Sequence, residues 1–249
     1  MTLTIDIGNT AIKSAIFDNN GEIIHCCRTD SGCDISETIE SCRIYSPEHA
    51  IVASTRDIDA NLLSKIESLT PHLIVFDSNT PIPIKNLYHT PKTLGTDRLA
   101  AAIAAYSQTH NDTLIIDIGT AITYDFINSS GEYLGGNISP GVNMRFAALH
   151  EHTAKLPLIS TSGYHPAYGY DTETAIRCGV LDGINCEING YISKFSLKFP
   201  NLSVFLTGGD QIYFDEEIKK RTFADKYLVL KGLFIVMQYN INKKQAYQA

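Results

Sequence analysis

Apolar positions alternate with polar ones near the start of the chain and shift to helical spacing further on. Residues 3–7, 11–18 and 22–28 read as three short strands, separated by Gly8-Asn9-Thr10 and Asn19-Asn20-Gly21. An Asn-Gly pair between apolar runs is a strong hairpin signal, because both residues tolerate the positive φ of a tight turn. Residues 35–39 predict a short helix, 50–53 a strand, 61–69 a helix and 73–76 another strand, the alternation of a mixed α/β sheet. The clearest helix of this half covers 95–106, with its run Leu99-Ala-Ala-Ala-Ile-Ala-Ala.

After a polar stretch at His110-Asn111-Asp112 the opening pattern returns. Ile116-Asp-Ile-Gly-Thr-Ala-Ile repeats Thr4-Ile-Asp-Ile-Gly-Asn-Thr-Ala-Ile, again as strand, Gly turn, strand, tight turn (Asn128-Ser-Ser-Gly) and strand. A repeat of this kind decides the fold expectation. It predicts two lobes of one topology, residues 1–111 and 112–249, facing across a nucleotide cleft. The second copy is followed by predicted helices at 140–150 and 170–198, a strand at 203–206, the turn Thr207-Gly208-Gly209-Asp210 and a last helix from about residue 227. Pro140 suits a helix start, where its missing N–H does little harm.

A net charge of −7, with Lys and Arg scattered, offers no electrostatic footprint for nucleic acid. No apolar run approaches the roughly 20 residues that span a bilayer, and the start lacks a basic and then apolar leader, so a cytoplasmic protein without membrane contact is expected. The six cysteines (Cys26, Cys27, Cys33, Cys42, Cys178, Cys186) include no C-x-x-C pair and read as reduced thiols. His150 and His152 lack the i, i+4 spacing of a helical zinc site and read as surface residues.

The chemistry concentrates in the Gly turns. Asp6-Ile-Gly-Asn-Thr exposes backbone N–H groups and the Asn9 and Thr10 side chains at a hairpin tip, where an anion can be met. Lys13 offers a point charge for phosphate oxygens, and Asp6 can hold Mg²⁺ directly or through water. The second turn, with Asp117, Thr120 and Thr123, supplies a further acid and further hydroxyls; two such hairpins suit a bound triphosphate. Thr207-Gly-Gly-Asp is a third turn, where backbone can pass close to a nucleotide or simply connect strand to helix. Gly95-Thr96-Asp97-Arg98 opens the Ala-rich helix, whose N-terminus favours anionic groups. Tyr88 upstream adds an aromatic hydroxyl to the same candidate pocket wall.

Taken in order, Asp6-x-Gly-Asn-Thr with Lys13, Tyr88, Gly95-x-Asp-Arg, Asp117-x-Gly-Thr-Ala-x-Thr, Gly135-Gly-x-Ile-x-Pro-Gly, Thr153-Ala-x-Leu-Pro and Thr207-Gly-Gly resemble the type III pantothenate kinases across nearly the whole chain. The resemblance implies an actin-like ATPase fold of two ribonuclease H-like lobes and ATP-dependent phosphorylation of pantothenate, the first step toward coenzyme A. It makes Asp97 the general base. Asp6, Ile7, Gly8, Asn9, Thr10, Ala11, Ile12, Lys13 and Thr120 would bind ATP. Tyr88, Gly95, Thr96, Asp97, Arg98 and Thr172 would bind pantothenate. Asp117 would hold a monovalent cation, potassium or ammonium, while Asp6 would hold Mg²⁺. Members are homodimers, so a dimer is expected; Ile176, Val180, Ile184 and Ile188 form a stripe that fits an interface or a core equally well.

Three alternatives stand beside this reading. The same scaffold could phosphorylate another hydroxyl acceptor, such as a sugar, since fold does not settle substrate. It could serve as a nucleotide-binding regulator without catalysis. It could be an ATP-driven chaperone or filament subunit, against which the absence of a substrate-binding domain or a filament-forming insertion counts.

Overall fold

The computed structural model describes residues 1–30, 35–209 and 216–248. Its strands are β1 (Thr2–Ile7), β2 (Ile12–Phe17), β3 (Ile23–Thr29), β4 (His49–Ser54), β5 (His72–Val75), β6 (Lys85–Asn86), β7 (Thr113–Ile118), β8 (Ala121–Ile127), β9 (Glu132–Pro140), β10 (Ser203–Gly208) and β11 (Phe223–Ala224). The helices are α1 (Ser36–Tyr45), α2 (Ala60–Glu67), α3 (Thr96–Thr109), α4 (Val142–Glu151), α5 (Thr172–Lys198), α6 (Glu216–Arg221) and α7 (Leu228–Gln248). Every element expected from the hydrophobic pattern is present. The short β6, β11 and α6 and a 3-10 turn at Pro91–Thr93 carried too little periodicity to be read.

Two compact units result, one of residues 1–110, 130–134 and 227–249, the other of 111–129 and 135–226. In the first, the sheet runs β3-β2-β1-β4-β5, with β1 antiparallel to β2 and parallel to β4. In the second, β9-β8-β7-β10-β11 repeats that order around β7, which is antiparallel to β8 and parallel to β10. The sequence repeat is therefore a repeat of topology. Both are α/β units with mixed sheets and flanking helices, the actin-like arrangement.

In the first unit the odd residues Leu3, Ile5 and Ile7 of β1 join Leu62, Ile66 and Cys42 in one core beneath α1 and α2. The even residues Thr2, Thr4 and Asp6 take the opposite face, as strand alternation requires. There Gln238 of α7 donates to Thr2 Oγ1 at 3.3 Å and Phe234 stacks on Phe17 at 4.7 Å. In the second unit Leu114, Ile116 and Ile118 of β7 pack with α4 and α5, again leaving Asp117 on the other face. Ile176, Val180, Ile184 and Ile188 are all within this core, so the apolar stripe of α5 is spent on packing inside the unit.

Two segments depart from the expected halves: residues 130–134 and 227–249, expected in the second lobe, fall in the first unit. For the longer one the cause is the close fit of α7 on α3: a Cβ on Gly232 would run into the backbone of Ala100. An Ala-rich helix face lets another helix approach closely where the partner offers glycine, and dispersion contacts reward the approach.

Candidate active site

The first unit's site is built at the carboxyl end of β1. Asp6 lies directly opposite Lys13 in the β1–β2 ladder, so both side chains share one face of the sheet. Asp6 is 7% exposed, whereas Asn9 and Thr10 are exposed at the tip. The turn closes through the Gly8 N–H, which donates to the Ala11 carbonyl at 3.0 Å. Ile7, Ala11 and Ile12 are buried and anchor the loop.

This turn is tied to the start of α3. The Thr55 N–H donates to the Ile7 carbonyl at 3.1 Å, while the Ser54 hydroxyl, 3.4 Å from the same oxygen, donates to the Arg56 carbonyl at 2.6 Å. The Ser54 carbonyl in turn accepts from the Thr96 hydroxyl at 3.4 Å. Because β4 is parallel to β1, its end delivers Ser54 beside Ile7. Gly95 is the N-cap of α3, and Asp97 sits in its first turn, where a negative charge suits the helix dipole. Asp97 Oδ1 accepts from the Arg98 N–H at 2.8 Å. Arg98 is buried to 8% exposure, with its guanidinium carbon 6.0 Å from the centre of the half-buried Tyr88 ring. That places a buried cation and an aromatic against each other, beside the carboxylate.

The second unit repeats the device with a tighter turn. Gly119 donates to Ala121 at 3.1 Å across Thr120 alone, where the first turn spans both Asn9 and Thr10. Asp117 pairs with Thr123 across β7–β8. Thr123 Oγ1 is buried and has no hydrogen-bond partner, so an oxygen is left over beside the Asp117 position. Carboxylate and hydroxyl are hard donors, the set an alkali or magnesium ion takes. Thr207 lies alongside Asp117 in the β7–β10 ladder, and Gly208 at φ 103° presses on the Ile118 backbone. Gly141 donates to the Thr120 carbonyl at 3.1 Å, so close that a Cβ there would overlap Gly119 and Thr120. Asp210 lies outside the described residues.

Thr172 is the exposed first residue of α5, within a capping box in which the Asp171 carboxylate accepts from the Thr174 N–H. The structure thus gathers Asp6 to Lys13, Tyr88 and Gly95 to Arg98 in one unit, and Asp117, Thr120 and Thr172 in the other. Three supports were not found from sequence. Ser54 is one. The others are Arg145 and Glu187, whose guanidinium and carboxylate meet at 2.5 Å while Arg145 also donates to the Pro140 carbonyl at 2.9 Å. The Tyr124 hydroxyl donates to Glu187 at 2.8 Å. Burial alone would raise the Glu187 carboxyl, but bonds from Arg145, Tyr124 and Ser139 hold it below its ordinary value. Pro140-Gly141 reads in the sequence only as a helix start, which gives no sign of this pair.

The sequence profile described as type III pantothenate kinase matches residues 2–194. A protein of Bacteroides fragilis called type III pantothenate kinase is 48% identical over 96% of this chain and 98% of its own length. One of the same description from Porphyromonas gingivalis is 39% identical over 96% and 98%. Among solved structures, a Baf family protein of Campylobacter jejuni described as a transcriptional activator superposes with a TM-score of 0.61 at 21% identity, covering 96% and 99% of the two chains. A Streptomyces griseus ROK family glucokinase in complex with glucose and AMPPNP gives 0.52 at 12% identity, over 96% and 99%. These structural likenesses bear on the fold.

Proposed function

Since the chain belongs to the type III pantothenate kinase family, we propose that Asp97 is the general base of its reaction and that the first hairpin turn cradles the phosphates of ATP. The enzyme phosphorylates pantothenate at the expense of ATP, giving 4'-phosphopantothenate for coenzyme A synthesis. The observation that carries the site assignment is the hydrogen-bonded link from the Ile7 carbonyl to the Thr55 N–H and from the adjoining Ser54 carbonyl to the Thr96 hydroxyl, which ties the phosphate turn to the residue preceding Asp97.

The Asp97 carboxylate, held by the Arg98 N–H, accepts the proton of the pantothenate hydroxyl as its oxygen bonds to the γ-phosphorus and the bond to the ADP oxygen breaks. Such transfer passes through a loose transition state, so alignment and charge neutralisation dominate and the base adds about 10² to 10⁴-fold. The N–H groups of Asn9 and Thr10, the Thr120 hydroxyl and Lys13 neutralise phosphate charge, on a turn that the Gly8 N–H holds closed. Arg98 and Tyr88, with Thr172, hold the pantothenate, whose carboxylate suits a buried guanidinium. Asp117 with Thr123 would suit a monovalent cation, and the Asp6 carboxylate would hold Mg²⁺. When bound, these ions supply positive charge to the phosphates.

Tyr164, Tyr168 and Tyr170, 68%, 77% and 67% exposed just before Thr172, support a homodimer in which that segment is covered. Among the described residues no helix is long and apolar enough to cross a membrane, and consumption of ATP is consistent with a cytoplasmic enzyme. The test is ADP release with ATP, Mg²⁺ and pantothenate, in potassium and in sodium buffers, with the product identified by mass. Pantothenate-dependent turnover that weakens in sodium, and loses that cation dependence in Asp117→Asn, is expected. ATP binding without turnover would favour a nucleotide-binding regulator instead.

A further inference from the structure

Away from the phosphate turn, β3 presents His25 and Cys27 on one face, because residues two apart along a strand point the same way. The intervening Cys26 points elsewhere, with its sulfur 3.2 Å from the Tyr227 hydroxyl. Glu37, in the first turn of α1, brings a carboxylate to the same place. Imidazole nitrogen, thiol sulfur and carboxylate oxygen all lie within 4.8 Å of one another.

We propose that His25, Cys27 and Glu37 form a binding site for a zinc-class divalent cation on the first unit, separate from the ions that serve the phosphates. Nitrogen, sulfur and carboxylate oxygen are the ligand types of zinc, at about 2.0–2.1, 2.3 and 2.0–2.2 Å. From those lengths, tetrahedral geometry separates nitrogen and sulfur by about 3.5 Å. His25 Nε2 and Cys27 Sγ stand 3.2 Å apart, so the cation needs a displacement of only a few tenths of an ångström. Cys27 is buried and its position is set by the β2–β3 ladder opposite Ser14, which is itself bonded to Thr38 at 2.8 Å. Glu37 is exposed and can swing onto the metal. Three protein ligands leave a fourth position for water.

The donor set excludes a magnesium or potassium site, which would be all oxygen. Burial first, and the Glu37 charge second, raise the Cys27 thiol, so metal binding releases the thiol proton to solvent. In a second His, Cys and carboxylate group, His165, Cys178 and Asp182, the thiol is bonded outside the cluster, donating to the Pro166 carbonyl at 3.1 Å, whereas the Cys27 sulfur meets His25 within its own.

The test is titration of the chelator-stripped full chain with Co²⁺, reading the thiolate-to-cobalt charge-transfer absorption, followed by Zn²⁺ displacement. A saturable band that Zn²⁺ abolishes is expected; it should vanish in Cys27→Ser and persist in Cys178→Ser. Glu37→Gln, at an exposed position that leaves folding intact, should weaken Zn²⁺ affinity about 10-fold or more, measured against a chromophoric chelator. Absence of the band, its persistence in Cys27→Ser, its loss in Cys178→Ser, or unchanged affinity in Glu37→Gln would overturn the proposal and leave a thiol–imidazole hydrogen bond.

Discussion

The Gly95 Cα stands so close to Asp97 Oδ1 that a Cβ on Gly95 would collide with that oxygen. The backbone there is ordinary, φ −58° and ψ 130°, so the glycine serves the space of the carboxylate and not an unusual turn. Gly95→Ala can be accommodated by turning the Asp97 side chain, which costs little stability. It removes the base from its place. The expected result is kcat lowered about 10 to 100-fold with a melting temperature within a few degrees of the parent, since misplacement of a reacting group by an ångström costs about that much. Steady-state kinetics beside thermal melts check this; equal kcat would mean that the carboxylate need not occupy this position.

Gly208 poses the opposite case. It has φ 103°, and a Cβ would meet the backbone of Ile118. Backbone cannot turn aside as a side chain can, so Gly208→Ala should destabilise the second unit by about 2 kcal/mol or more. Denaturant unfolding measures it. A change within about 0.5 kcal/mol would show that β10 slides past β7 without strain.

The Arg145–Glu187–Tyr124 network gives a pH prediction. Glu187 is held below its ordinary 4.5 in the folded state, so the stability it contributes is complete above that value and is lost as pH falls through the lower folded pKa. Glu187→Gln should therefore cost about 2 kcal/mol at neutral pH, with the gap to the parent closing under acid conditions. Unfolding measured from pH 7 downward tests it. A gap that is constant or widens in acid would mean that Glu187 gains nothing from its charge.

Much of this was legible because its signals are local. Period-two apolar runs on either side of Asp6-Ile-Gly and Asp117-Ile-Gly specify two hairpins, and the identity of their residues carried the repeat and the candidate phosphate turns. Packing between distant segments was not legible. Gly232 reads as one glycine in a helix, and only the structure shows that it admits the Ala100 backbone and draws α7 into the first unit. Arg145 and Glu187 are 42 residues apart, with no pattern joining them, and Ser54 is separated from Thr96 by 42 as well. Pro140-Gly141 reads as a helix start, but Pro140 ends β9 and Gly141 is the N-cap of α4, and the bond of Gly141 to the Thr120 carbonyl is tertiary.

On this reading Asp97 performs base catalysis on a site that binds ATP independently of it. The most direct measurement is single-turnover transfer of the γ-phosphoryl group from ATP to pantothenate by the parent and by Asp97→Asn, with nucleotide affinity measured on both. The expected rate is about 10² to 10⁴-fold lower in the variant, with ATP affinity essentially unchanged. Equal transfer rates, or a loss of rate explained wholly by lost ATP binding, would contradict it.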